Sequence, residues 1–79
     1  MDRNIKFKGI DSWNRPIYKV LEGNYYIGSV EKLFDFTASK EDVDEYFRDN
    51  LSTLVYFGHK FGCEPNGSPL KKEINLIIN

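Results

Sequence analysis

The sequence predicts a small α+β fold: an antiparallel sheet whose elements run β-β-β-α-β-β along the chain, with one amphipathic helix packed on one face. Three observations predict it. Short segments either alternate apolar with polar residues or are crowded with β-branched and aromatic ones. One segment instead repeats its apolar residues at three- and four-residue spacing, and clusters of Gly, Pro, Asn, Asp and Ser separate the rest.

In Asn4 to Ile10, Ile5 and Phe7 alternate with Lys6 and Lys8, so a first strand with one dry and one wet face is expected. Asp11-Ser12-Trp13-Asn14-Arg15-Pro16 follows, in which short polar side chains compete for backbone hydrogen bonds and Pro16 disfavours helix at Arg15. Ile17 to Leu21 and Tyr25 to Gly28 read as strands two and three. Glu22-Gly23-Asn24 between them offers residues that tolerate the positive φ of a tight hairpin. Residues 31–36 show no period and are left irregular.

Ser39 and Asp42 stand in capping-box spacing, with acids in the first turn, so a helix begins near Lys40. Val43, Tyr46, Phe47 and Leu51 form its apolar stripe, Glu41, Asp44, Glu45, Arg48 and Asp49 mostly face water, and Asn50 ends it as a left-handed cap. Thr53 to Phe57 gives strand four and Ile74 to Ile78 strand five. The stretch 58–69 between them carries three glycines and two prolines, and reads as a long irregular loop. The expected core is Ile5, Phe7, Ile17, Ile27, Val43, Phe47, Leu54, Tyr56, Ile74 and Leu76. A one-residue slip in strand four would exchange Leu54 and Tyr56 for Val55 and Phe57.

Seventy-nine residues leave no room for two domains, so 1–79 is expected to form one small globular domain. Aromatic residues make up 15% of the chain, enough to build a core without a metal or disulfide. A single cysteine, Cys63, argues for a reducing compartment, and no export signal or spanning segment is visible, so a cytoplasmic location is expected. The formal net charge of −1 gives no general attraction to nucleic acid, but the charges are segregated: residues 1–21 are basic and 31–49 acidic.

Chemistry-bearing motifs are scarce. Cys63 and His59 could pair as nucleophile and base, yet Gly62 interrupts a helix between them and no third group orients the histidine. The plainer reading makes Cys63 a small apolar residue and His59 a polar loop residue. With one Cys and one His, a soft-ligand metal site cannot be assembled, and no phosphate-binding glycine loop or nucleophile elbow occurs, so no cofactor is expected. In style the chain resembles short bacterial or phage proteins, and no motif in it matches a named family.

Binding has more material. Trp13, Arg15, His59 and Phe61 lie in the turn and loop segments where recognition concentrates, so a non-enzymatic protein-interaction module is expected, acting through a sheet edge or the 58–69 loop on a protein partner or a second copy. The alternative is weak single-stranded nucleic-acid binding by Lys6, Lys8 and Lys19 with Tyr18, Tyr25 and Tyr26 as stacking rings. The plainer alternatives are that Phe61 folds back to plug the core and Trp13 caps its open end, and that the lysines are wet-face strand residues while the tyrosines serve a small core.

Overall fold

Residues 1–62, 64–65, 70 and 73–79 are described by a computed structural model of the chain. Five strands, β1 (Asp2–Ile10), β2 (Pro16–Val20), β3 (Tyr26–Gly28), β4 (Val55–Gly58) and β5 (Asn75–Ile78), and one helix, α1 (Lys40–Arg48), follow along the chain, with a 3-10 turn at Leu51–Thr53. The strands form one sheet in the spatial order β4-β3-β2-β1-β5.

The sheet is mixed, which corrects the expectation of a purely antiparallel one. β1, β2 and β3 pair antiparallel through short turns and β3 pairs antiparallel with β4 across the segment that holds α1, but β5 lies parallel to β1, with Asp2 opposite Asn75 and Ile5 opposite Ile78. The physical reason is the long 59–74 connection: it carries the chain from one edge of the sheet to the other, and a connection of that length is free to deliver the last strand in either direction.

Paired residues share a face, so the register separates the sheet's two sides. Ile5 opposite Val20 and Tyr18 opposite Ile27 face α1, where they meet Val43, Phe47 and Leu54 in the buried core. The Ser39 hydroxyl accepts from the Asp42 amide and the Asp42 carboxylate accepts from the Ser39 amide, each at 3.2 Å, so the capping box starts α1 as expected. Asn50 ends the helix differently. Its φ is −137°, not left-handed, and its side-chain amide donates to the Tyr46 carbonyl at 2.8 Å.

Other local expectations are also revised. In the turn between β2 and β3 neither Gly23 nor Asn24 has positive φ. Gly23 supplies room instead, because a Cβ there would stand 2.5 Å from the Tyr25 ring. A bulge at Phe57 in the β3–β4 pairing buries both Leu54 and Phe57 and leaves Tyr56 half-buried. Asp44, expected in water, is only 1% exposed.

Candidate functional site

Asp11 organises the turn between β1 and β2. One carboxylate oxygen accepts the Trp13 and Arg15 amides, both at 2.9 Å, and the other accepts the Arg15 guanidinium Nε–H at 2.7 Å. Backbone bonds close the turn in both directions, from the Asp11 amide to the Arg15 carbonyl and from the Asn14 amide to the Asp11 carbonyl, each 3.0 Å. Asn14 takes the left-handed conformation at φ 63°, which Asn tolerates better than most residues. The ion pair is buried, and the Arg15 guanidinium lies 4.9 Å over the Phe57 ring.

This clamp holds Trp13 outward, 67% exposed. The turn is also tied to the irregular segment after β3, because the Phe34 amide donates to the Asn14 carbonyl at 2.9 Å. Phe34 itself packs against Tyr46 and Phe47. Phe36, two residues on, is 66% exposed, and Val30 and Leu33 of the same segment are exposed too. Asp35 braces the bend by accepting the Thr37 hydroxyl at 2.6 Å and the Thr37 amide at 3.1 Å, and these bonds hold its carboxyl below the usual carboxylate range. Trp13 was legible as a candidate in the sequence. Phe36 was not, since an aperiodic segment gives no sign of which ring is the anchor and which is free.

Arg15 was expected beside Trp13 as a contact for a partner. Its burial in the Asp11 pair gives it a different job, fixing the turn from beneath. His59 is exposed, with both ring nitrogens engaged: Nε2 lies 3.1 Å from the Tyr56 hydroxyl, and Nδ1 donates to the Asn24 carbonyl. The neutral ring protonated on Nδ1 satisfies both contacts. Cys63, its proposed partner, lies outside the described residues, as does much of the 58–69 loop. Phe61 of that loop is 45% exposed and folds back on the sheet, edge to face with Tyr26 at 6.1 Å and beside Gly9.

The basic residues gather. Lys6 stands opposite Lys19, and Lys19 opposite Tyr26, all on the sheet face turned away from α1. Lys6, Lys8 and Lys19 line one hollow of about 370 Å³ with Phe7 and Leu21. The expected stacking rings divide. Tyr26 is half-buried on this face with the Lys19 ammonium 5.3 Å above its ring, whereas Tyr25 packs on Tyr56 toward the core. Tyr18 is fully buried and cannot stack on a ligand. Its alternation puts it on the helix side, where its hydroxyl donates to Asp44 at 2.6 Å. Burial first, then that bond and the Asp44 charge, raise its ionisation well above the ordinary tyrosine value.

Among the described residues no group of three or more His, Cys, Asp and Glu side chains could hold a metal ion, and no helix is long and apolar enough to cross a membrane. Comparison with protein-family models, curated proteins and solved structures finds no match to this chain.

Proposed function

We propose that this chain is a non-enzymatic protein-interaction module whose main contact is the turn carrying Trp13. The observation that carries the reading is an indole two-thirds exposed on a turn fixed by a buried ion pair and two backbone bonds. Exposing a large ring costs hydrophobic stabilisation that a chain of this size can ill spare. Fixing the backbone that carries the ring lowers the ordering cost of binding, and Trp is enriched among residues that dominate interface energies. Phe36, Leu33 and Val30, on the segment tied to the same turn, extend the apolar surface a partner would cover.

Site-specific photo-crosslinking tests the reading. A photoreactive phenylalanine analogue at Trp13 or at Phe36, in cells that make the protein, is expected to give the same discrete protein adduct from both positions, and none from Glu45 on the exposed side of α1. Adducts at twice the chain's mass would identify the partner as a second copy. No adduct from Trp13 and Phe36, or an identical pattern from Glu45, would contradict the proposal.

A further inference from the structure

The far face of the sheet carries an electrostatic arrangement that the Trp13 turn does not explain. Lys6 and Lys19 are direct cross-strand partners, and like charges directly opposite one another destabilise a sheet. Lys8, the extra residue of a bulge between Phe7 and Gly9, adds a third ammonium group to the same hollow. Among the described residues the ion pairs are Arg15 with Asp11 and Lys40 with Asp44, so no carboxylate neutralises these three lysines. The exposed acids Glu41, Asp42 and Glu45 belong to α1, which covers the opposite face, and Glu22, at the end of the lysine face, is engaged by the Asn4 amide groups. A small domain that concentrates three unneutralised cations on one face has a site for an anion.

The rings beside the hollow narrow the class of anion. Tyr26 shares the face with Lys6 and Lys19, and Phe61 leans on Tyr26 with nearly half its surface free. Cations that follow a phosphate backbone next to an accessible ring are what single-stranded nucleic acid requires, since every base has a face to stack. An acidic peptide would use the lysines but has no such need of Phe61. We propose that the hollow formed by Lys6, Lys8 and Lys19 binds backbone phosphates of single-stranded nucleic acid, with Phe61 stacking on a base. This site is separate from the Trp13 turn and does not depend on the protein-interaction reading.

Fluorescence anisotropy with a labelled oligothymidylate of about twelve nucleotides tests it on the full chain. Three phosphate contacts predict a slope of about −2 in log affinity against log salt, because each contact on a single strand contributes roughly −0.7. Lys6→Ala and Lys8→Ala should each flatten the slope by about 0.7. Phe61→Ala should weaken binding at least about fivefold and leave the slope unchanged. Circular dichroism of each variant separates lost binding from lost fold. Absence of binding at low salt by folded protein overturns the proposal, as does a salt slope indifferent to the lysines. Displacement by a polyglutamate peptide at equal charge, with no effect of Phe61→Ala, assigns the hollow to acidic protein segments and overturns it also.

Discussion

Tyr18 and Asp44 show how a single polar contact sits inside this core. Asp44 is buried on the helix and receives the Tyr18 hydroxyl and the Lys40 ammonium. Tyr18→Phe leaves one acceptor of a buried carboxylate unmet and is expected to cost about 1.5–3 kcal/mol, measured by urea unfolding. The same contact predicts alkaline sensitivity. Folding raises the ionisation of Tyr18 through burial and the Asp44 bond, so its contribution is complete below the unfolded value of 10.0 and fades as the pH climbs above it. Stability of the native protein should therefore fall above pH 10.0, and in Tyr18→Phe that part of the fall should be absent. Lys6 makes the opposite kind of prediction. Lys6→Glu converts a like-charge pair with Lys19 into an attractive one and should stabilise the protein by about 0.2–1 kcal/mol at low salt. The gain should shrink as salt screens it. Asp44 escaped sequence reasoning because its position in the helix lies between the wet side and the apolar stripe, and only the reach of Tyr18 from β2 makes burial tolerable.

At the scale of elements, the strands, the helix and its capping box were readable because each depends on residues close in sequence. Ser39→Ala should cost about 1 kcal/mol in thermal or urea unfolding, as the loss of an N-cap acceptor usually does. The turns were less readable. Gly23 looked like a positive-φ residue but is needed for space beneath the Tyr25 ring, so even Ala should disturb the β2–β3 turn. The β1–β2 turn was recognisable as a turn, yet its clamp was not, since Asp11 and Arg15 had the look of two surface charges. Their burial predicts that Asp11→Ala destabilises on the order of 3 kcal/mol, the scale expected when a buried ion pair loses one partner. A surface pair would lose less than about 1 kcal/mol, so urea unfolding distinguishes the two. Bulges at Lys8 and Phe57 were also beyond a period-two reading, because one inserted residue switches every later side chain to the other face.

Across the whole molecule, the parallel pairing of β5 with β1 is the feature least available from sequence. Alternation identifies β5 as a strand but does not distinguish the partner or direction, which the long connection leaves open. The charge segregation noticed along the chain is kept in part in space, with the acids of α1 on one side of the sheet and Lys6, Lys8 and Lys19 on the other. Aromatic rings are divided likewise: Tyr18 and Phe47 build the core, Phe61 lies half-exposed against Tyr26 on the far face, and Trp13 stands clear at a clamped turn. That last arrangement is the centre of the account, and the chain's single tryptophan allows it to be measured without interference. Time-resolved fluorescence anisotropy with acrylamide quenching reports both exposure and rigidity of Trp13. The account predicts an indole that is readily quenched yet turns with the whole protein, and that becomes freely mobile in Asp11→Ala. An indole shielded from quencher in the isolated protein, or one already mobile on its own with Asp11 in place, would contradict it.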